Sequence, residues 1–156
     1  MGRLDGKIVL IAGGGADGPP NPGEKLSIGN GRATAILAAR EGAIVMAADL
    51  NLALAQETAD AIKAEGGKAQ ALACDVSKED DCRRTIEDTV KQFGALHLLV
   101  NNVGIAAGGS LLNTTTDQFE KVYAVNLRSH FLMMRYAKAG PPLETDADEP
   151  DPVFAY

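Results

Sequence analysis

Five glycines and one aspartate carry the first chemical signal. Gly13, Gly15 and Gly18 fit G-x-G-x-x-G directly after the apolar run Lys7–Ala12, and Gly29 and Gly31 flank the start of an Ala-rich stretch. A strand that ends in glycines and passes into a helix presents backbone N–H groups to a pyrophosphate, and the helix dipole adds to the attraction. Pro19-Pro20 follows the literal pattern, so no helix starts there and the dipole argument fails at that spot. We read a split motif. Gly13 leaves the strand with Gly15 behind it, residues 16–27 bulge outward, and Gly29 and Gly31 seat the phosphates. Ser27, Ile28 and Asn30 belong to the same binding segment. A merely flexible turn is the competing reading.

Asp49 ends a second apolar run, 18 residues after Gly31. That spacing is close to the one expected for a carboxylate that binds the adenosine ribose hydroxyls. A 2′-phosphate brought to ~4 Å of it would meet repulsion of roughly 4 kcal/mol per unit charge at an effective dielectric of ~20. NAD is therefore expected in preference to NADP, and Leu50 joins Asp49 in the cofactor-binding set. An aspartate that only caps a helix in a turn is the competing reading.

Other chemistry is thin. His97 and His130 are the only histidines and have no ligand-like spacing with Cys74 or Cys82, so no metal site is expected. His97 falls within a strand-like run and reads as structural. Met133-Met134 reads as core or interface.

These residues need a scaffold, and the chain supplies one. It has 156 residues, 46% hydrophobic and 23% charged, enough for one domain with a buried core. Aromatics are 4% and Trp is absent, so that core is built from Ala, Leu, Ile and Val. Lys7–Ala12, Ala43–Ala48, Lys68–Cys74 and Leu96–Asn101 read as strands. Helices are expected over 30–40, from Asn51 to about Glu65, from a Ser77/Asp80 capping box to Phe93, and from a Thr115/Gln118 box to Lys138. This alternation implies an α/β fold, a Rossmann-type parallel sheet with helices on both faces and right-handed crossovers.

Charge separates body from tail. All 15 Lys and Arg lie in residues 1–138, with 16 Asp and Glu, whereas residues 139–156 hold five acids and four of the seven prolines. The expected domain is 1–138, followed by an acidic Pro-rich tail over 139–156 that reads as disordered. A nearly neutral body argues against a nucleic-acid partner. No apolar run approaches the ~20 residues of a membrane span. Two cysteines without a signal peptide point to reduced thiols and a cytoplasmic location.

Taken together, the glycine region, Asp49, Cys74-Asp75-Val76, Asn101-Asn102-Val103-Gly104 and Val125-Asn126-Leu127 resemble the short-chain dehydrogenase/reductase family. The opening LDGKIVLIAGGG resembles its first strand, and DQFEKVYAVNLRSHFLMMR its long interface helix. The resemblance covers residues 1–138, about the first half of a family domain, so the expected fold is truncated after the fourth strand and the long helix that follows. It implies that Asp75 and Val76 lie along the adenine. It adds Asn102, Val103 and Gly104 to the cofactor-binding set, with Asn101 supporting the sheet edge. Asn126 takes the position of the residue that holds a water in the family's catalytic proton relay. Without the resemblance, Asn126 reads as a polar residue satisfying a helix bulge.

The departures are equally informative. Gly29 lies 16 residues beyond Gly13, against a family gap of four, and Ala12 stands where the family usually has Thr. The enoyl-thioester reductase branch has long loops resembling IAGGGADG, but Asn101-Asn102-Val103-Gly104 argues against that branch. The family's acid/base chemistry uses a Tyr, a Lys four residues later and a Ser on the preceding strand. Here Tyr123 is followed at that spacing by Leu127 and Tyr136 by Gly140, and Tyr156 is the last residue. Tyr136 and Lys138 would point about 200° apart on a helix.

The resemblance thus implies an NAD-dependent oxidoreductase acting on an alcohol/carbonyl pair, here without its Ser, Tyr and Lys and so inactive alone. A non-catalytic dinucleotide-binding or interaction module is the alternative, as is a nonfunctional fragment. The composition break after Lys138 motivates the expectation of a truncated or frame-shifted reading frame. Self-association is expected through the helix 116–138, with Leu127, Phe131, Leu132, Met133 and Met134 partly exposed.

Overall fold

The computed structural model describes residues 2–17, 22–23 and 27–138. Gly18, most of the Pro/Gly-rich loop and the acidic tail lie outside the described residues. Four parallel strands, β1 (Ile8–Ala12), β2 (Ile44–Asp49), β3 (Lys68–Ala73) and β4 (Leu98–Asn101), form one sheet in the order β3-β2-β1-β4. The register runs Ile8 to Ile44, Val9 to Leu98 and Ile44 to Lys68. β1 and β2 are the central strands and the most apolar. Every residue of β1 is buried, whereas β3 and β4 at the borders carry exposed positions.

Strand pleating divides this apolar run between two cores. Val9, Ile11 and Val45 face α1 (Asn30–Arg40) and α2 (Leu52–Ala64), where Ala35, Ala38, Ala59 and Ile62 meet them. Leu10, Ala12, Met46 and Ala48 face the other way. They pack on Cys82 and Ile86 of α3 (Glu79–Phe93) and on Leu132 and Met133 of α5 (Ser129–Lys138). Helices therefore cover both faces, as the alternation of elements requires.

The helix boundaries follow local chemistry. Asn51 Oδ1 accepts from Ala53 N at 3.1 Å and starts α2. Gly94, at φ 86°, ends α3 in the left-handed conformation that glycine adopts without strain. Thr115 and Gln118 make both halves of a capping box at the start of α4 (Thr116–Tyr123). The Ser77/Asp80 box does not form. Asp75 captures the Ser77 hydroxyl at 2.6 Å, and α3 begins after Lys78 with no side-chain cap. His97 is structural and sits just ahead of β4. Its Nδ1 accepts from Ile8 N at 2.9 Å, and its backbone N–H donates to Ile8 O at 2.9 Å.

The helix expected over 116–138 is interrupted. A π-helical turn, Ala124–Arg128, separates α4 from α5. This break corrects the expected exposure. Leu132 is 4% and Met133 0% exposed, both in the core, while Leu127, Phe131 and Met134 face outward.

Candidate functional site

The strands end at one rim, where residues at their ends and at the start of α1 enclose a cleft of about 520 Å³. Gly13, Gly15, Gly29, Asn30 and Gly31 line one side, Asp49, Leu50, Asp75 and Val76 the next, and Asn102, Val103 and Gly104 the third. Twelve of the fourteen residues expected to bind a cofactor thus share one cavity. Ser27 and Ile28 do not line it.

The glycine segment is built by close approach. Gly13 turns at φ 79°, and its N–H donates to Ala48 O at 2.8 Å. A Cβ on Gly31 would collide with the carbonyl oxygen of Gly13. Only glycine lets α1 sit this close to the end of β1. Gly29 precedes α1 with no side-chain cap, and no acid lies in the first turn. That helix end therefore faces the cleft with its backbone alone. The expected bulge over 16–27 does not include its first two residues. Ala16 is buried and lines the cleft, Asp17 lines it too, and Ser27 Oγ donates to Asp17 O at 2.9 Å.

Asp49 reaches across the cleft rim. Its Oδ2 accepts from Gly15 N at 2.9 Å and its Oδ1 from Asn51 N at 3.0 Å. Each oxygen retains a lone pair for a further donor. Asp75 accepts from the Ser77 hydroxyl and N–H and pairs with Lys78 Nζ at 3.4 Å. The Ser77 hydroxyl chiefly holds its carboxyl below the usual carboxylate range.

Asn102 joins the third side to the first. Its N–H donates to Ala12 O at 2.9 Å and its Nδ2 to Gly13 O at 3.2 Å. Asn126 lies inside the π turn, behind the cleft wall. Its side chain clamps the backbone of the lining residue Ile105, accepting from N at 2.9 Å and donating to O at 2.8 Å. Asn101 pairs with Ala12 within the sheet. Tyr136 does not line the cleft. Its hydroxyl donates to Glu79 Oε1 at 2.6 Å, and that bond pushes its pKa up. A phenol poised for proton transfer needs the opposite shift.

Sequence reasoning missed several lining residues: Ala16, Asp17, Cys74, Ser77, Ile105, Lys121 and Val125. Lys121 and Val125 stand four apart across the start of the π turn, and the Val125-Asn126 motif was the signal that could have found them. No group of three or more His, Cys, Asp or Glu among the described residues could hold a metal ion.

Both cysteines are buried and unbridged. Burial pushes the Cys74 thiol up and the Cys82 thiol up to about 12. Cys82 Sγ also donates to Val76 O at 3.3 Å, which requires the protonated form. The Cys82 contribution to stability is complete below pH ~9 and is lost as pH rises toward 12. In the folded chain at pH 8 we expect iodoacetamide to leave both thiols unmodified for as long as the fold persists. Labelling as fast as in urea, read by mass spectrometry, would contradict this.

Comparison with known proteins places this geometry. A family model described as enoyl-(acyl carrier protein) reductase, one of the short-chain dehydrogenase/reductase models, matches residues 24–145. The chain belongs to the short-chain dehydrogenase/reductase family. It is 36% identical over 135 residues to an uncharacterized oxidoreductase of Thermotoga maritima, covering 86% of this chain and 48% of that protein. It is 35% identical over 135 residues to a cyclohexanol dehydrogenase of Acinetobacter sp., covering 86% of this chain and 49% of that one. A short chain dehydrogenase from Mycobacterium smegmatis matches in structure with a TM-score of 0.79 and 30% identity, over 89% of this chain and 54% of its own. The chain thus spans about half the length of the curated relatives it matches. Short-chain dehydrogenases/reductases bind a dinucleotide cofactor and an alcohol or carbonyl substrate. The matching model's description names enoyl chemistry, the branch that Asn101–Gly104 spoke against, and the cyclohexanol dehydrogenase relative carries another name.

Proposed function

We propose that this chain is the nucleotide-binding half of an NAD-dependent short-chain oxidoreductase. The observation that carries the reading is the position of the Asp49 carboxylate, 2.9 Å from Gly15 N, on the cleft that Gly29 and Gly31 also line. The residues fit a dinucleotide. Among the described residues no side chain caps the start of α1, which offers N–H donors to a pyrophosphate. Asp49 accepts from ribose hydroxyls and repels a 2′-phosphate. Asp75 and Val76 flank the adenine, while Asn102, Val103 and Gly104 continue the wall. Bound there, NAD supplies a hydride acceptor. Asn126 acts through Ile105, whose backbone it fixes. The Tyr-x3-Lys pair is absent from the 156 residues, so this chain alone binds cofactor without turnover. That absence also favours the second reading, a dinucleotide-binding module that does no chemistry. No helix among the described residues is long and apolar enough to cross a membrane, and the reduced thiols fit a cytoplasmic location.

Titration with NADH, followed by its fluorescence, tests the reading. Saturable binding that Asp49→Ala weakens supports it, and an absence of binding refutes it. Oxidation of simple alcohols by this chain with NAD would refute the lack of turnover.

The outward face of α4 and α5 supports self-association. Phe119, Leu127 and Phe131 are 59%, 61% and 57% exposed, on the same stretch of chain. We expect multi-angle light scattering to give an oligomer that Phe131→Glu disperses. A monodisperse monomer in the unsubstituted chain would contradict it.

A further inference from the structure

Arg32 is the largest fully buried side chain, 0% exposed, although it is charged and lies in the first turn of a helix. Both facts run against stability. A buried charge costs free energy unless it is paired and hydrogen-bonded. A cation near a helix N-terminus opposes the dipole. Its hydrogen bonds explain why it is tolerated. Nη1 donates to Ser27 O at 2.7 Å, just ahead of α1. Nη2 donates to Leu54 O at 3.0 Å and to Glu57 Oε2 at 2.9 Å, both on α2. Nε donates to Thr58 Oγ1 at 2.9 Å. Thr58 Oγ1 in turn donates to Gly14 O at 2.7 Å, inside the glycine turn.

We infer that Arg32 and Thr58 form a buried latch that positions the phosphate-seating backbone. This rests on the reading of the cleft as a dinucleotide site. Gly14 and Ser27 lie 13 residues apart in the chain, and the latch ties them to the same point on α2. Ser27 Oγ closes the same gap a second time by donating to Asp17 O. The two ends of a long excursion are thereby held as a short glycine turn would be. Neither Arg32 nor Thr58 lines the cleft, so each acts through backbone and neither touches a ligand. Lysine cannot replace the guanidinium, because a single ammonium does not span three acceptors on α2 and the Ser27 carbonyl.

The test compares ADP, which carries the diphosphate, with adenosine, which lacks it, by calorimetric titration of the full chain. Thr58→Val removes the hydroxyl with little change in shape. We expect it to weaken ADP about tenfold, the cost of leaving Gly14 O and Arg32 Nε short of partners. Adenosine affinity should stay within about twofold, and Thr58→Ser should restore ADP binding. Arg32→Lys should behave as Thr58→Val does, if it folds by thermal melt. Equal losses for ADP and adenosine, or no loss for either, would overturn the latch. So would a failure of Thr58→Ser to restore binding. If the unsubstituted chain binds NADH but Thr58→Val changes nothing, the latch fails and the cofactor reading stands. If it binds neither NADH nor ADP, both fall.

Discussion

Gly31→Ala is expected to cost about 3 kcal/mol or more of folding free energy, a large share of a small domain's total. The added methyl would overlap the Gly13 carbonyl oxygen and lie 2.8 Å from Asn102 Nδ2. Neither contact is the free end of a flexible side chain. The Gly13 oxygen is backbone at the end of β1, and Asn102 Nδ2 is held by donating to it at 3.2 Å. Relief requires α1 to move off the sheet, which opens the core around Ala35 and Ala38. Denaturant titration followed by circular dichroism reads the effect. Gly108→Ala is the control, because nothing lies within 4 Å of its Cβ position; it should change stability by less than about 0.5 kcal/mol. Equal midpoints for the two variants would show that α1 is not seated as described.

Asp49→Asn should alter the choice of cofactor more than any other single substitution. The full Coulomb term against a 2′-phosphate, roughly 4 kcal/mol per unit charge at ~4 Å, is reduced by solvent at a half-buried rim. About 2 kcal/mol is expected to survive, a shift of roughly thirtyfold in the NADH to NADPH affinity ratio. Asparagine keeps one oxygen able to accept from Gly15 N, so the glycine turn is less disturbed than by alanine. NADH should weaken and NADPH strengthen in parallel fluorescence titrations, with the shift shrinking as salt is raised. An unchanged ratio would mean that Asp49 only braces Gly15 and Asn51.

Most of the scaffold could be read from residue order, for reasons visible in individual elements. Ile8–Ala12 and Ile44–Ala48 sit in the middle of the sheet and so had to be apolar, with Asp49 only at the rim. Asn51 and Thr115 cap their helices locally, and local chemistry is legible. Gly13 and Asp49 share the cleft because they stand at the ends of β1 and β2, and Gly29 and Gly31 join them at the start of α1. Three features were hidden. Ser77 matched a capping pattern, but Asp75, two residues earlier, took its hydroxyl. Arg32 looks like any first-turn charge, since its partners lie 5 to 26 residues away and only the fold unites them. Leu132 and Met133 were misjudged because the helix was expected to lack packing partners, whereas β1, β2 and α3 cover that side of it.

A π turn lodges one surplus residue in a helix, and each residue of an α-helix advances the azimuth by about 100°. The apolar stripe of α5 is therefore rotated by about that angle from where a straight continuation of α4 would aim it. With that offset, Leu132 and Met133 point at the sheet while Phe131 and Met134 point away. The number of residues between Tyr123 and Ser129, more than the identity of any one of them, decides which side of α5 the protein keeps for itself.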